Sequence, residues 1–377
     1  MATYGFLSSM PPTKCGLATF ADALAGSLAT PEDTVIGVRV IDSYPDDAAT
    51  AANIDVVATL VNGDRGALEA AAEALNRSDI AVIQHEYGIY GGRDGDEVLD
   101  LIDMLRVPLI AVLHTVLDNP TPHQKVVLEE VVRRADLCVV MSRAGLDVLR
   151  DTYDISVDNV LVIPHGVTPP LAETQRIATA PVVLTWGLIG PGKGIERGLR
   201  AMAHLRDMHP RPTYRVVGQT HPKVFAREGE AYRTRLLETA YRLGVNDNTE
   251  FYGEYLDRDA LEQHIRAASV VLLPYDSTSQ ITSGVLAEAV ASGIPVVATN
   301  FPHAAELLAG GAGIVVPHAD PSAMARAVRW ILTHPDEAAV MSDIGSAWGR
   351  EAGWPAVGER YREAARGVAA KTARAAA

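Results

Sequence analysis

The chain has 377 residues, 48% of them hydrophobic, which is enough for two domains of ordinary size with substantial cores. Its net charge of −14 argues against nucleic acid and anionic membrane surfaces as main partners, although a helix end and a few cations can still hold a small anion. The two cysteines, Cys15 and Cys138, give no basis for a disulfide framework or a zinc site.

No targeting or membrane segment is evident in the sequence. The first residues lack a basic region followed by a long apolar core, and no uninterrupted apolar run approaches ~20 residues. So few cysteines are typical of a reducing compartment. We therefore expect a cytoplasmic protein with no signal peptide and no stable membrane insertion.

The first half of the chain alternates apolar strands with helices. The predicted strands begin with TYGFLSS at Thr3, VIGVRVI at Val35, DIAVIQHE at Asp79, VPLIAVLH at Val107, DLCVVMS at Asp136 and NVLVIPHGV at Asn159. Helical patterns begin at Leu17, Asp64 and His123. Strands too apolar to have a solvated face predict an α/β fold with a doubly wound parallel sheet.

A second alternating series follows a stretch with paired prolines. Residues 169–180 have no apolar period and are interpreted as a linker between a domain of residues 1–168 and a domain of residues 181–353. Residues 354–377 form a C-terminal helix that we expect to cross back to the first domain. Two Rossmann-like halves joined in this way predict a cleft between them, with ligands at the carboxyl ends of the strands.

The stretch from Val270 to Thr299 is a strand, a polar loop, a helix and a strand. The helix begins with the small residues Thr282, Ser283 and Gly284, and no Glu is placed to close a capping box. We expect its first amides to be free for an anion, phosphate above all, and Glu288 to accept bonds from sugar hydroxyls one turn further in. The alternative is an ordinary turn with a solvated Glu.

A glycine-rich turn at residues 185–196 nearly matches a P-loop. Gly187, Gly192 and Lys193 have the P-loop spacing, but Gly194 stands where a Ser or Thr would hold magnesium, which argues against nucleotide hydrolysis. What remains is a lysine at the mouth of a helix, suited to a diphosphate without a metal. The alternative is a surface lysine in a tight turn.

Polar residues also follow the strands of the first half. Gly16 and Lys14 lie between the first strand and its helix, and Gly16 is expected to present backbone amides to the cleft. His85, Glu86 and His114 each stand at a predicted strand end, so we expect them to converge, although a lone histidine is more often structural. His165 lies at the domain boundary and is interpreted as a hinge residue.

Several longer segments carry a family resemblance. They are GPGKG, SGVLAEAVASGIPVVAT, PHGV, FYGEY, AAELL, GGAGIVVPHADP and WPAVGERY. With them the chain resembles, over essentially its whole length, a GT-B glycosyltransferase of the retaining family 4 type (glycosyltransferase group 1). The resemblance implies two Rossmann-like domains facing across a cleft, with a nucleotide sugar in the C-terminal half and the acceptor mainly on the N-terminal half.

The resemblance also implies site residues. We expect catalysis to involve Lys193 at the diphosphate, Glu288 at the ribose, His114 at the transferring sugar, and Gln280. The expected donor-binding residues are Gly16, Gly187, Gly192, Gly218, Tyr252, Gly253, Thr282, Ser283, Gly284 and Val285. The expected acceptor-side residues are Lys14, His85, Glu86 and Tyr87, and we expect no metal site.

Two positions depart from the family pattern. The family usually carries Glu eight residues before the ribose-binding Glu, where this chain has Gln280. Many members carry Arg directly after the first glycine of the lysine loop, where this chain has Leu188. An amide can still hydrogen-bond a sugar hydroxyl. The missing Arg leaves one cation fewer against the leaving diphosphate, which affects turnover more than binding.

The sequence therefore predicts a retaining hexosyltransferase that uses a nucleotide-diphosphate sugar, GDP-mannose or UDP-glucose, a soluble hydroxyl acceptor, and neither metal nor cofactor. The resemblance implies front-face attack, in which the leaving phosphate oxygen takes the acceptor proton. Two alternatives remain open: a nucleotide-sugar epimerase of the same architecture, and a catalytically weak protein that only binds nucleotide sugars. The epimerase would isomerise its substrate without an acceptor, and the binding protein would release no nucleoside diphosphate.

Overall fold

The computed structural model describes residues 1–43, 51–168 and 180–376. The chain divides into two compact units, one formed by Met1–Gly166 with Gly353–Ala377, and one formed by Val167–Ala352. All of the predicted linker except Ala180 lies outside the described residues, so the linker stays a prediction.

The first unit is a parallel sheet with helices on its faces. Its strands are β1 Thr3–Ser8, β2 Thr34–Ile41, β3 Asp55–Val61, β4 Ile80–His85, β5 Leu109–Leu113, β6 Leu137–Val140 and β7 Val160–Val162. Its helices are α1 Gly16–Leu28, α2 Arg65–Leu75, α3 Glu97–Asp103, α4 Pro122–Arg134, α5 Arg143–Thr152 and, from the end of the chain, α14 Trp354–Ala376. The strand order is β3-β2-β1-β4-β5-β6-β7.

The second unit repeats this plan with six strands. They are β8 Val182–Trp186, β9 Thr213–Val217, β10 Thr249–Tyr252, β11 Val270–Leu273, β12 Val296–Thr299 and β13 Gly313–Val316, in the order β10-β9-β8-β11-β12-β13. Its helices are α6 Ile195–Ala203, α7 Pro222–Glu228, α8 Ala231–Arg242, α9 Arg258–Ala267, α10 Gly284–Ala291, α11 Pro302–Leu308, α12 Pro321–Thr333 and α13 Pro335–Glu351.

Both sheets are wholly parallel and doubly wound, so the predicted fold class is confirmed. In each sheet the direction of winding reverses once, between β1 and β4 in the first unit and between β8 and β11 in the second. Strand β3 was not predicted. It lies at the sheet edge, where its outward residues are exposed or half-buried and the apolar signal is weak.

Helix α14 completes the core of the first unit by packing against α1. Val357 and Tyr361 are fully buried among the side chains that α1 contributes to the same core. Arg362 donates from Nη1 to the carbonyl oxygens of Ser27 and Leu28, at 2.7 and 3.1 Å. These are terminal carbonyls of α1, so a cation here satisfies acceptors that have no partner within that helix.

Phe20 of α1 is the centre of an aromatic cluster in this unit. The rings of His114, His165 and Trp354 lie edge-on to it, at centroid distances of 4.8, 5.0 and 5.3 Å. Burial, with the nearby His165 and His85, lowers the pKa of His114 to about 3. Burial lowers the pKa of both His85 and His165 to about 4. All three imidazoles are therefore neutral in the folded protein at pH 7.

We expect the first unit to lose stability as the pH falls below about 6.5, because these histidines take up protons only on unfolding. Their folded pKa values lie below the unfolded value, so the stability is complete above pH 6.5 and declines toward pH 4. The free energy of unfolding should fall by about 1.4 kcal/mol per pH unit for each histidine that is protonated on unfolding. Urea unfolding followed by circular dichroism between pH 7 and pH 5 measures this slope.

His165→Gln provides the matched control. Its amide can still donate to the Gly166 carbonyl oxygen, which His165 Nδ1 contacts at 2.8 Å, but it cannot titrate. The slope should be shallower in this variant by one histidine's contribution. Identical pH slopes in the two proteins would contradict the assignment.

Candidate active site

The carboxyl ends of β8 and β11 are where a doubly wound sheet of this order places a ligand. The loop after β8 contains Lys193, and its next residue Gly194 has a positive φ of 64°. A Cβ at Gly194 would overlap the carbonyl oxygen of Pro274, which follows β11. The amide of Asp276 donates to the Gly192 carbonyl oxygen at 2.9 Å. The lysine loop and the loop after β11 are therefore in direct backbone contact.

Lys193 is half-buried and lies over an aromatic ring. Its Nζ is 4.2 Å from the centroid of the Tyr275 ring, a cation–π geometry. Burial lowers the pKa of His221, and the charges of Lys223 and Lys193 lower it further. The charges of Lys193 and Lys223 therefore both act on His221.

Helix α10 begins at Gly284, and the expectation of an uncapped start is wrong. Ser283 is the N-cap, and its Oγ accepts from the amide of Leu286 at 3.2 Å. The amide of Ser283 itself donates to Nδ1 of His303 at 2.9 Å, so it is not available to phosphate in this conformation. Sequence pattern could not reveal His303, because it lies on a different helix.

Two amides of α10 remain for a ligand. Within the described part of the chain, neither the N–H of Gly284 nor that of Val285 has a hydrogen-bond partner. A Cβ added to Gly187 would lie 3.5 Å from a methyl group of Val285, so the start of the lysine loop lies against this first turn. Lys193 and two unpartnered amides of a helix N-terminus therefore share one edge of the sheet. Thr282, just before them, has a buried Oγ1 with no partner among the described residues.

Glu288 lies one turn into the same helix and is half-buried. Burial raises the pKa of its carboxyl group, while Arg258 and a hydrogen bond from the side chain of Trp186 act in the opposite direction. A carboxylate with so little solvent contact is not the solvated Glu of the alternative interpretation. It remains a candidate acceptor for hydroxyl groups.

The ends of β9 and β10 continue this edge. Gly218 has a φ of 133°, and a Cβ there would overlap the carbonyl oxygen of Gly187. Its amide donates to the Tyr252 carbonyl oxygen at 2.8 Å. Tyr252 is exposed beside His264, at a ring-centroid distance of 4.5 Å. The predicted nucleotide-side residues Gly218, Tyr252 and Gly253 therefore lie at the carboxyl ends of neighbouring strands.

Arg233 is a cation on this edge that sequence analysis missed. Its Nη2 donates to the Gly218 carbonyl oxygen at 2.8 Å, and its Nε donates to Glu230 at 3.2 Å. Its guanidinium carbon lies 3.4 Å from the position of a Cβ on Gly253. No motif surrounds Arg233, so only the fold reveals its place.

Gln280 braces the loop that precedes α10. Its side-chain Nε2 donates to the Thr282 carbonyl oxygen at 2.9 Å. Its backbone carbonyl oxygen accepts from the backbone amide of His303 at 3.2 Å. A carboxylate has no hydrogen to donate, so Glu at this position could not make the first of these bonds. The catalytic role expected for Gln280 stays a prediction.

In the first unit, His114 is held by a residue that was not predicted. His114 Nε2 lies 2.7 Å from Oε1 of Gln84, so this nitrogen donates and Nδ1 is left as the acceptor of the neutral ring. Gly16 begins α1, and a Cβ there would meet nothing within 4 Å. Lys14 is exposed in the preceding loop.

The predicted convergence of strand ends occurs, but one side chain is not accessible. The amide of His114 donates to the His85 carbonyl oxygen at 3.1 Å, and Thr115 donates to Glu86 at 2.5 Å. The side chain of His85 is only 1% exposed, because it turns into the core beside Tyr87. The prediction that the His85 side chain faces the acceptor substrate is therefore corrected, because the side chain is buried. The hydroxyl of Tyr87 donates to the Gln124 carbonyl oxygen at 3.3 Å, which anchors its loop.

Neither a metal-binding cluster nor a membrane-spanning helix is found among the described residues. Over residues 1–43, 51–168 and 180–376, no group of three or more His, Cys, Asp or Glu is arranged to hold a metal ion. In the same ranges no helix combines the length and apolarity needed to cross a bilayer. Independence from metal and cofactor stays a prediction.

The family model and the related proteins that match this chain are all glycosyltransferases. Residues 171–348 match the family model described as Glycosyl transferases group 1. A D-inositol 3-phosphate glycosyltransferase of Streptomyces bingchenggensis is 31% identical over 294 residues, which cover 70% of this chain and 63% of that protein. The chain thus spans less than two thirds of that relative. A protein of the same name from Kineococcus radiotolerans is 28% identical over 374 residues, covering 90% of this chain and 84% of the relative.

Solved structures match the fold of nearly the whole chain. Sucrose-phosphate synthase from Thermosynechococcus elongatus superposes with a TM-score of 0.77 at 19% identity, covering 98% of this chain and 100% of that one. Anabaena Alr3699/HepE in complex with UDP and glucose gives 0.78 at 16% identity, covering 96% and 99%. The fold is therefore that of the GT-B glycosyltransferases. Residues 171–348 belong to the glycosyl transferases group 1 family.

Proposed function

We propose that this protein is a retaining glycosyltransferase that moves a hexose from a nucleotide-diphosphate sugar to a hydroxyl group of a soluble acceptor, without a metal ion. One observation carries the proposal. Lys193, the unpartnered amides of Gly284 and Val285, and the half-buried Glu288 lie on one edge of the second sheet. This combination offers positive charge to a diphosphate and an acceptor to sugar hydroxyls.

UDP-glucose and GDP-mannose are the donors we propose to test first. The Anabaena structures contain UDP, glucose and UDP-glucose, and a trehalose-6-phosphate structure from E. coli contains UDP-2-fluoro glucose. These neighbours share the fold at low identity and favour UDP-glucose as the first candidate. A cytoplasmic location remains a prediction from cysteine usage.

In the proposed reaction, the bond from the sugar C1 to the leaving phosphate oxygen breaks, and the bond from C1 to the acceptor oxygen forms on the same face. The acceptor proton passes to the leaving phosphate oxygen, so no side chain is needed as nucleophile. The main work of the protein is to position the substrates and to stabilise the charge that develops on the diphosphate. Lys193 and the amides of Gly284 and Val285 supply that stabilisation.

We expect Lys193→Ala to weaken binding of a nucleoside diphosphate about tenfold to a hundredfold, because a charge-assisted hydrogen bond is lost. Affinity for the nucleoside alone should stay the same, because it has no phosphate. Isothermal titration calorimetry with UDP, GDP, uridine and guanosine measures both. Arg200→Ala, which removes an exposed cation of α6, is the control for general electrostatics and should leave all affinities unchanged. Equal losses of diphosphate affinity in Lys193→Ala and Arg200→Ala would contradict the placement of Lys193 in the site.

Glu288 should determine a preference for ribose over deoxyribose. We expect Glu288→Gln to reduce the affinity for a ribonucleoside diphosphate about tenfold, because an amide is a weaker acceptor than a carboxylate. The 2′-deoxy compound should bind both proteins about equally, provided that the carboxylate contacts the 2′-hydroxyl. Competition binding at pH 7.5 provides the comparison. An equal loss of affinity for both nucleotides would mean that Glu288 supports the structure of α10 and does not contact the 2′-hydroxyl.

Transfer itself is tested with the donor that raises the melting temperature most in a thermal-shift screen. We expect the wild type to release nucleoside diphosphate in the presence of a suitable acceptor and to form a glycoside with the anomeric configuration of the donor. Nuclear magnetic resonance of the product reports that configuration, and Lys193→Ala is the inactive control. An inverted product would contradict the retaining assignment, and release of no nucleoside diphosphate with any acceptor would contradict the transferase assignment.

A further inference from the structure

Tyr275 is a fully buried aromatic residue directly under the charge of Lys193. It lies two residues after β11, and its side chain is 1% exposed. Its ring stacks on that of Phe301, with centroids 5.5 Å apart and an interplanar angle of 20°. The Nζ of Lys193 lies 4.2 Å from the same ring centroid.

The position of Tyr275 is fixed from two further elements of the second unit. Its carbonyl oxygen accepts from Oγ1 of Thr299 at 2.8 Å, at the end of β12. The same oxygen accepts from Nδ1 of His318 at 3.1 Å, in the loop after β13. The ring is therefore attached to rigid neighbours, whereas the lysine side chain has four rotatable bonds of its own.

Hydrogen bonding does not explain why a tyrosine stands here. Its hydroxyl is buried and has no partner within the part of the chain that the structure describes. Tyr275 contacts the ammonium group of Lys193 through the face of its ring, and the quadrupole of the ring attracts a cation.

As a partner for the Lys193 ammonium, a ring face differs from a carboxylate because it leaves the N–H groups of the ammonium available to a ligand. A carboxylate partner would take the N–H groups of the ammonium and compete with phosphate for its charge. A ring face orders the ammonium while leaving N–H groups for a ligand. Asp276, which follows Tyr275 in sequence, pairs with Arg197 at 2.5 Å. Among the described residues, no carboxylate forms a salt bridge with Lys193.

We propose that Tyr275 is a positioning residue that holds the ammonium group of Lys193 ready for the diphosphate of the donor. The inference rests on the proposed function, because it assigns the ligand of Lys193 to a diphosphate. It goes beyond that function by giving Tyr275 a role in the affinity for that ligand, distinct from its role in the core.

The test uses two substitutions that separate the ring from the hydroxyl. Tyr275→Phe keeps the ring face and should bind UDP or GDP within about twofold of the wild type, whereas Tyr275→Leu should bind about tenfold more weakly. Neither should alter the affinity for uridine or guanosine, which have no phosphate. If Tyr275→Leu does not fold, Tyr275→Met fills the same space without an aromatic face and carries the same expectation. Calorimetry measures all of these affinities.

A double-mutant cycle with Lys193→Ala distinguishes positioning from packing. Removing the lysine should weaken diphosphate binding less in the Tyr275→Leu protein than in the wild type, because without the ring the ammonium of Lys193 is no longer held in position. Additive effects, equal affinities of the Phe and Leu variants, or an equal loss of nucleoside binding would each overturn the inference. If Lys193→Ala weakens binding and Tyr275→Leu does not, only the inference fails. If the wild type binds no nucleoside diphosphate, the proposed function fails with it.

Discussion

The close approach of backbone to backbone at the carboxyl edge of the second sheet is the constraint on which the candidate site depends. Gly194 lies against the carbonyl oxygen of Pro274, and Gly218 lies against that of Gly187, both at positive φ. A Cβ at either position would force two neighbouring loops apart, because there is no flexible side chain to yield. With both glycines present, the loops after β8, β9 and β11 lie together, and Lys193 is brought over the ring of Tyr275.

This geometry explains how a chain with a net charge of −14 can offer a site for an anion. The local field depends on which charges are paired with each other. Arg197 is paired with Asp276, whereas Lys193 has a neutral aromatic partner. Two helix amides add partial positive charge without any titratable group. Lys193 and the two amides therefore concentrate positive charge at one sheet edge, while the overall acidity of the surface is screened by salt over longer distances.

The periodicity of apolar residues was sufficient to predict the doubly wound sheets, because fully buried parallel strands produce continuous apolar runs. It failed for β3, whose edge position leaves most of its residues exposed or half-buried. Lys193 and Glu288 could be nominated because each stands in a local motif. Arg233, Tyr275 and the partner of the Ser283 amide could not, because each depends on a contact with a residue remote in sequence. The burial of His85 was missed for the same reason: a strand-end residue faces either solvent or core, and only packing decides which.

The departure from the family pattern at Gln280 can be understood through charge. At position 280, an amide donates to the Thr282 carbonyl oxygen, which a carboxylate could not do. It therefore braces the start of α10 without adding a negative charge beside the amides of Gly284 and Val285. Glu288 is placed one helical turn further in, where the side chains of Trp186 and Arg258 support its charge. The edge thus separates an anion-binding end from a carboxylate about 5 Å along the helix axis. In the proposed function, the amides face the diphosphate and the carboxylate accepts a hydrogen bond from a hydroxyl of the ribose.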